Sequence, residues 1–495
     1  MGREKQIINE RLRKIKELKE QGINPYPNKF DKKNNCFELQ EKYKKLKKEQ
    51  KTNDKVKTAG RVMVKRNMGK IAFASLQDGY GKIQVILQEG ETPDKKRDFF
   101  KKYIDTGDFI GVQGLIIKTK TGELSIIVKD IELLSKAILP LPEKWHGLQD
   151  KEERYRKRYL DLVMNPEAKE VFEKRALIIN ELKNLLREEG FLEVETPTLQ
   201  SIYGGASSTP FKTHLNALNI DLFLSISPEL YLKRLIVGGY EKVFTICKNF
   251  RNEGIDAIHN PEFTMLEYYI AYKNYEYHME FAEKFFNRLK KKLKLPDNID
   301  YQNKKINLKT PFKRIKFRDL ILKETGIDLD KIDNFEKLKK EIINKKIDEV
   351  DIGGCHHYGA LLDELYKRVA RPKIIQPTFL THYPVEMIAL AKRNETDKRK
   401  INSVQLIIDG AEIIKAYDEL NDPLDQEERL KEQAELLKKG DGEAMPMDED
   451  FVNALKVGMP PTAGYGMGID RLTMLFTNQP SIRDVILFPF MKPEK

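Results

Sequence analysis

The sequence has very little cysteine. Only Cys36, Cys247 and Cys355 occur in 495 residues, and they are widely separated. This spacing provides neither the disulfide framework of a small secreted protein nor a CxxC pair for zinc. The run Cys355-His356-His357 is a weak metal motif, because adjacent side chains rarely converge on one ion. The scarcity of cysteine therefore predicts a reducing, cytoplasmic setting without a thiolate metal centre.

Long apolar runs are also missing. No stretch approaches the roughly 20 residues of a membrane helix, and the opening MGREKQIINERL lacks the apolar core of a signal peptide. We therefore expect a soluble protein with no membrane partner. What the chain has is charge: 34% of residues are charged and the formal net charge is +12. Such a basic excess suits a polyanionic partner such as nucleic acid, although many lysine-rich proteins are simply soluble.

Changes in residue pattern divide the chain into regions. An amphipathic helix opens the sequence and a Lys-rich connector follows it. Short alternating strands then predict a small barrel of the OB type, which binds single-stranded nucleic acid. The predicted regions are the N-terminal helix and connector (1–55), the barrel (56–135), a proline-marked linker (136–150) and a larger mixed domain (151–495) with a mostly helical insertion (275–350).

Two predicted strands joined by a polar loop, within residues 242–275, carry the first candidate site. Arg251 and Glu253 share the parity of the first strand, so they project from one face if the strand extends that far. One face of the second strand carries Phe263, Met265, Glu267 and Tyr269. A buried charge costs several kcal/mol, roughly 3–5, unless it is paired. The cluster is consistent with a ligand site and equally with an ion-paired surface sheet.

A second candidate is the glycine-rich segment PPTAGYGMGIDRLTML at residues 460–475. Its glycines allow the backbone to approach a ligand closely, and Arg471 opens a helical pattern. Glycine spacing alone is a weak signal, however. The segment is also not a Walker A loop, because no GK[ST] follows.

Together these motifs resemble those of the class II aminoacyl-tRNA synthetases. FRNEG (250–254) resembles motif 2, GMGIDR (466–471) resembles motif 3, and GFLEVETPTL (190–199) resembles motif 1, whose proline is here Pro197. Longer stretches, among them HNPEFTMLE and QPTFLTHYPVE, are similar to the lysyl-tRNA synthetases from about residue 56 onward. The resemblance implies an α+β protein, with an OB-fold β-barrel before a catalytic domain whose central antiparallel sheet is flanked by helices. It also implies a homodimer.

The same resemblance implies that lysine is activated with ATP and transferred to tRNA. Arg251 and Arg471 would be the catalytic residues. The expected ATP-binding residues are Arg251, Glu253, His259, Asn260, Phe263, Glu412 and Arg471. The expected lysine-binding residues are Gly205, Ala206, Glu229, Glu267, Tyr269, Lys415, Tyr417 and Glu419. In the barrel, Phe73 would stack on an anticodon base, while Gln84 and Glu123 would hydrogen-bond base edges.

Magnesium is also implied, with Glu412, Gln405 and Glu419 as its candidate ligands. The sequence departs from the family pattern in this part of the site. The family usually has glutamate where Gln405 stands, asparagine where Lys415 stands, and Ser-Pro at 388–389, where this chain has Ile-Ala. Lys415 would either contact the substrate carboxylate or pair with Glu419.

These departures leave other functions open. One is a class II ligase for a lysine analogue, and another is a non-catalytic tRNA-binding paralogue with an altered active site. A paralogue that lysylates a protein is less consistent with the sequence, because the anticodon-type barrel is present.

Overall fold

The computed structural model describes residues 2–142 and 148–494. It contains two compact units, Met1–Gly147 and Leu148–Lys495. The predicted linker falls partly on residues 143–147, which lie outside the described residues. Among the helices that the structure describes, none combines the length and the apolar character needed to cross a membrane.

The first unit is built around a closed five-stranded barrel with strand order β1-β2-β3-β5-β4. The barrel begins at Lys51 rather than at residue 56, so the expected Lys-rich connector already contributes to its first strand. The elements of this unit are α1 (Arg3–Glu20), α2 (Cys36–Lys42), β1 (Lys51–Met68), β2 (Ile71–Gln77), β3 (Lys82–Gln88), α3 (Asp94–Tyr103), β4 (Phe109–Lys118) and β5 (Leu124–Ser135).

Alternation along β2 separates the inside of the barrel from its outside. Ala72, Ala74 and Leu76 are buried in the barrel core. Phe73 lies between them in sequence, so it faces outward and is only partly buried. A strand phenylalanine is usually part of the core. The outward position of Phe73 leaves its ring available to a ligand.

The second unit is organised by an eight-stranded sheet with order β14-β15-β16-β17-β18-β11-β10-β6. Its neighbouring strands are antiparallel except at the two ends, where β14 pairs with β15 and β10 with β6 in parallel. The strands of this unit are β6 (Leu192–Glu193), β7 (Leu199–Gln200), β8 (Lys212–Leu215), β9 (Ile220–Leu224), β10 (Lys242–Phe250), β11 (Glu262–Ala271), β12 (Asn298–Tyr301), β13 (Lys304–Asn307), β14 (Lys313–Lys316), β15 (Thr378–Thr381), β16 (Ser403–Ile408), β17 (Ala411–Asp418) and β18 (Thr462–Gly468).

Helices cover the large sheet and fill the connections around it. They are α4 (Lys151–Arg156), α5 (Arg158–Met164), α6 (Pro166–Glu188), α7 (Glu229–Val237), α8 (Tyr275–Leu293), α9 (Phe317–Thr325), α10 (Phe335–Asn344), α11 (Tyr358–Leu365), α12 (Pro423–Lys438), α13 (Glu449–Val457) and α14 (Ile469–Thr477). The insertion at 275–350 contains α8, α9 and α10, but also the hairpin β12–β13 and the edge strand β14. The expected α+β architecture, a barrel followed by a helix-flanked antiparallel sheet, is confirmed.

One face of the large sheet is covered by helices α6, α8 and α14, and the other is partly open. Phe244, Leu266 and Tyr465 point into the covered core with side chains of those helices. Strand residues of the opposite parity point to the other face, where the candidate site residues lie.

We predict that Gly114→Ala destabilises the barrel. A Cβ at Gly114 would overlap the Ile127 carbonyl on the neighbouring strand, and backbone cannot move aside as a side chain can. Overpacking of this kind typically costs about 1–3 kcal/mol, which corresponds to a fall of roughly 5–15 °C in the midpoint of a domain this small. Calorimetry of the full chain measures this shift. Gly79→Ala is the matched control, because a Cβ there meets no atom within 4 Å; equal midpoints for the two variants would contradict the prediction.

Candidate functional site

The candidate site occupies the open face of the large sheet. The strand register places Glu267 opposite Thr245 on one side and opposite Gly466 on the other. Gly466 in turn pairs with Lys415, which pairs with Gln405. Since directly paired residues share a face, one row of the sheet carries a carboxylate, a glycine, an ammonium and an amide.

Glycine in the middle of this row opens a trough across the sheet. Gly464 and Gly466 on β18 bring no side chain between β11 and β17. A Cβ at Gly464 would lie 2.6 Å from the Tyr269 ring and would overlap Glu419. A methyl group there would therefore displace the Tyr269 ring and the buried Glu419 carboxylate, which is why this position needs glycine.

One end of the trough is a buried cluster of opposite charges. Lys233 on α7 is fully buried; its Nζ lies 2.7 Å from Oε1 of Glu229 and also forms an ion pair with Glu419. Tyr417 donates its hydroxyl hydrogen to Oε2 of Glu229 at 2.8 Å. Burial alone would lower the pKa of Lys233, but the two carboxylates outweigh it and raise this pKa. Lys233 is therefore the internal counter-ion of the pocket.

Glu267 is a third buried carboxylate beside this pair. Its Oε1 accepts a hydrogen bond from Ser227 Oγ at 2.9 Å, and its Oε2 accepts one from the Tyr269 hydroxyl at 3.4 Å. Burial, followed by the nearby Glu229 charge, raises the pKa of Glu267 to about 8. A cation that enters the pocket would therefore stabilise the ionised form of this carboxyl group.

The pocket retains unmet hydrogen-bonding capacity. Oε1 of Glu419 is buried and has no hydrogen-bond partner among the described residues. The single ammonium of Lys233 balances only one of the charges on Glu229 and Glu419, so a positively charged ligand group fits here. The Gly205–Ala206 loop lies at this site: Gly205 has φ of +86°, and a Cβ on it would lie 2.9 Å from Ser227 Oγ. All of the residues named in this pocket, except Ser227 and Lys233, were expected from the sequence.

Arg251 follows directly after β10, and its backbone N–H donates to the Pro261 carbonyl at 2.9 Å. Its guanidinium carbon lies 5.0 Å from the centre of the Phe263 ring. Nε is buried without a hydrogen-bond partner within the described part of the chain, and burial lowers the pKa of this arginine. A buried guanidinium with a free donor is suited to an anion. Glu253 is exposed and accepts a hydrogen bond from Ser208 Oγ at 2.5 Å.

Arg471 lies in the first turn of α14 and contacts the loop between β10 and β11. Its Nη2 lies 2.9 Å from Nε2 of His259, and its Nη1 donates to the Glu412 backbone carbonyl at 3.1 Å. Burial lowers the pKa of Arg471, and the charge of Glu412 acts in the opposite direction. Asn260 donates to the Glu262 carbonyl at 2.6 Å, while its own amide oxygen is buried without a partner in the described residues. The ATP-binding candidates therefore lie around one loop.

A β-bulge brings Glu412 onto the same face. The register between β16 and β17 shifts at Leu406/Ile407, so that Ile407 pairs with Glu412 and Leu406 with Ile414. Ile413 is the extra residue, and both Ile413 and Ile414 pack into the covered core. Because a bulge re-aims the side chains on one side of it, Glu412 faces the open side together with Lys415.

Two of the three expected magnesium ligands are already engaged. Gln405 is buried, and its amide oxygen accepts hydrogen bonds from the hydroxyls of Tyr366 at 3.1 Å and Tyr383 at 2.6 Å. Glu419 is engaged in its ion pair with Lys233. Within residues 2–142 and 148–494, no three His, Cys, Asp or Glu side chains form a group that could hold a metal. Glu412 alone fits a magnesium ion whose other ligands are water and substrate phosphates.

A further departure from the family pattern is the pair Ile388-Ala389. Ile388 packs in the hydrophobic core of the second unit, and the Ala389 carbonyl accepts a long hydrogen bond from Gln426 at 3.4 Å. Lys233, Ser208 and Ser227 were not expected from the sequence. The i, i+4 spacing of Glu229 and Lys233 on one predicted helix was the available signal for the first. Ser208 offered no signal.

In the barrel, the three anticodon candidates have different environments. Phe73 and Gln84 lie on the outer face of adjacent strands, since Phe73 pairs with Ile86 and Gln84 with Ser75. Gln84 donates to Ser125 Oγ at 2.9 Å. Glu123 is exposed at the start of β5.

Two families match this chain over its two units. Residues 56–134 match the OB-fold nucleic acid binding domain, and residues 150–492 match the tRNA synthetases class II (D, K and N). With Arg251 after β10, the glycine strand β18 and the Arg471 helix on one antiparallel sheet, these matches define a class II tRNA synthetase.

Similar proteins of nearly the same length narrow the family. A lysine–tRNA ligase of Pelotomaculum thermopropionicum is 45% identical and covers 100% of this chain and 97% of its own length. Lysine–tRNA ligase 2 of Methanosarcina mazei is 46% identical, covering 98% and 94%, and a lysine–tRNA ligase of Thermotoga maritima is 46% identical, covering 99% and 97%. The chain belongs to the lysine–tRNA ligase family.

We predict that Glu267→Gln changes the pH dependence of stability. The folded pKa of about 8 is above the ordinary value of 4.5, so the folded state holds a proton that the unfolded state has lost in that range. The wild type therefore loses stability from this group as pH rises from 4.5 to 8. Glutamine removes that loss, so the thermal midpoint of the variant relative to wild type should rise between pH 5 and pH 8. Glu262→Gln, at the exposed start of the same strand, is the control; parallel pH profiles for wild type and Glu267→Gln would refute the prediction.

Proposed function

We infer that this protein activates lysine with ATP and transfers it to tRNA(Lys). The observation that carries this inference is the excess of buried carboxylate at one end of the trough, on the sheet face that also carries Arg251. The acidic end suits the ammonium of a lysine side chain, and the buried guanidinium suits a carboxylate and a phosphate. Lys233 balances only one of the charges on Glu229 and Glu419, and a neutral amino acid would leave the other uncompensated.

In the proposed reaction, a carboxylate oxygen of lysine attacks the α-phosphorus of ATP. The bond from that phosphorus to the bridging oxygen breaks, pyrophosphate leaves, and lysyl-adenylate forms. A ribose hydroxyl at the 3′ end of tRNA then attacks the acyl carbon, releases AMP and loses its proton. Arg251 orients the two reacting anions and neutralises the charge that develops between them. Phe263 and Arg471 hold the adenine, and Glu253 meets its amino group.

Magnesium is part of this proposal through Glu412. When bound, the ion would screen the phosphate charge and help pyrophosphate to leave. Glu412 is available for this because its carboxylate faces the open side of the sheet and makes no hydrogen bond within the described residues. We further propose that two copies associate through the motif 1 region around Pro197.

We expect Arg251→Ala to reduce lysine-dependent ATP–pyrophosphate exchange by at least about 10²–10³-fold, the usual effect of removing one preorganised donor. The cause would be loss of the guanidinium that binds the reacting carboxylate and phosphate. Lys248→Ala, which removes an exposed cation from β10, the strand that Arg251 follows, should leave the exchange near wild type.

Exchange should be tested with lysine and with lysine analogues side by side. Exchange with an analogue but not with lysine would replace lysine as the substrate. Binding of tRNA without exchange for any amino acid would favour the non-catalytic alternative. Full activity of Arg251→Ala would refute the assigned site.

For the barrel, we expect Phe73→Ala to weaken binding of the tRNA by about 5- to 100-fold, since stacking on one base is worth about 1–3 kcal/mol. Filter binding of tRNA measures this change. Lysine-dependent pyrophosphate exchange needs no tRNA and should stay unchanged. Phe37→Ala is the control, because Phe37 is an exposed aromatic on α2 of the same unit. Equal losses for both variants would count against stacking by Phe73.

A further inference from the structure

Lys415 lies on the open face of the sheet and has no hydrogen-bond or ion-pair partner among the described residues. It is half-buried on β17, between Gln405 on β16 and Gly466 on β18. A half-buried cation without a partner is costly, so this position favours an anionic ligand.

The nearby carboxylates do not need Lys415. Glu419 and Glu229 both pair with Lys233. Glu267 takes its hydrogen bonds from Ser227 and Tyr269. Pairing of Lys415 with Glu419, one of the two roles considered from the sequence, is therefore not what the structure contains.

Gln405, the cross-strand partner of Lys415, is closed to a metal ion. Both lone pairs of its amide oxygen accept tyrosine hydroxyls, from Tyr366 and Tyr383. Both tyrosines belong to the buried core of this unit, so their hydroxyls are held in place. A divalent cation at this oxygen would have to break a buried hydrogen bond in order to gain only a neutral ligand.

The two substitutions are complementary in charge. Where a carboxylate would stand at 405, holding a divalent cation against the phosphates, this chain has a neutral amide. The residue paired with it supplies a positive charge of its own. Glu412 lies on the same face because of the bulge at Ile413, so it is a carboxylate on this face that could still hold magnesium.

We propose that the Lys415 ammonium binds the phosphate oxygens of ATP in place of a second divalent cation. Lys415 lies on the Gln405 and Glu412 side of the trough, and Lys233 already serves the acidic end where a lysine side chain would enter. The ammonium forms charge-assisted hydrogen bonds to the phosphate chain and needs no metal to do so. This proposal rests on the proposed use of ATP, and it predicts a nucleotide site that depends on fewer magnesium ions.

Equilibrium binding of ATP and of adenosine to the full chain, by calorimetry with EDTA and then over a magnesium series, tests this. We expect Lys415→Gln to weaken ATP binding in EDTA by about 10- to 100-fold, the range for a charge-assisted hydrogen bond. Adenosine, which has no phosphate, should bind both proteins equally. Lys248→Gln removes a lysine elsewhere on the sheet and should leave both affinities unchanged.

A variant with a carboxylate at 405 and a neutral residue at 415 guards against a merely structural effect. Lys415→Asn combined with Gln405→Glu should bind ATP weakly in EDTA but regain affinity with magnesium. The slope of log affinity against log magnesium concentration should then be steeper than in wild type by about one ion, by the same mass-action linkage that governs any bound ion.

The outcomes separate the proposals. Unchanged ATP affinity in Lys415→Gln overturns the phosphate role. The phosphate role is also overturned if Lys415→Gln weakens the binding of lysine but not that of lysinamide. That result would assign Lys415 to the substrate carboxylate. Failure of the wild type to bind ATP even with magnesium would instead remove the proposed function itself.

Discussion

The buried ion pairs of Lys233 with Glu229 and Glu419 are the constraint on which the site depends. They join helix α7 to the end of strand β17, deep in the second unit. Burying two carboxylates without a cation would be severely unfavourable, and losing one partner of such a cluster costs about 3–5 kcal/mol. Lys233 therefore lets the acidic pocket persist in the folded chain before any substrate arrives. The hydroxyl of Tyr417 completes the cluster by donating to Glu229.

The glycines of β18 make the complementary contribution. A central strand loses stability when it carries glycine, because no side chain packs there. In this sheet Gly464 makes room for the side chains of Tyr269 and Glu419, and Gly466 brings no side chain between Glu267 and Lys415, where a substrate can lie across the strands. The backbone of β18 lies between Glu267 on β11 and Lys415 on β17, so the sheet holds these two charged residues at a fixed separation. Asp470 strengthens this frame by accepting the Thr264 N–H at 2.7 Å and pairing with Arg175 at 2.6 Å, immediately before Arg471.

Sequence patterns predicted the architecture and much of the site, because alternation and motif spacing act locally. The parity of Glu267 and Tyr269 on β11 is visible in the sequence and is the parity of the folded sheet. Other features depend on contacts between distant segments. The bulge at Ile413 reverses parity within β17, so simple alternation would separate Glu412 from Lys415. The tyrosines that occupy Gln405 come from a segment about twenty to forty residues earlier, and no local pattern indicates them.

The unmet oxygen of Glu419 has a consequence for fidelity. An amino acid whose side chain has the length of lysine but ends in a methyl group would resemble lysine in shape. It would nevertheless leave a buried carboxylate oxygen facing hydrocarbon. Sites built around such an unsatisfied polar group reject an analogue lacking its partner by roughly 10⁴–10⁵-fold, far more than shape alone achieves. The rejection of apolar amino acids would then be a property of the first binding step, set by one oxygen atom that has no hydrogen-bond partner in the described part of the chain.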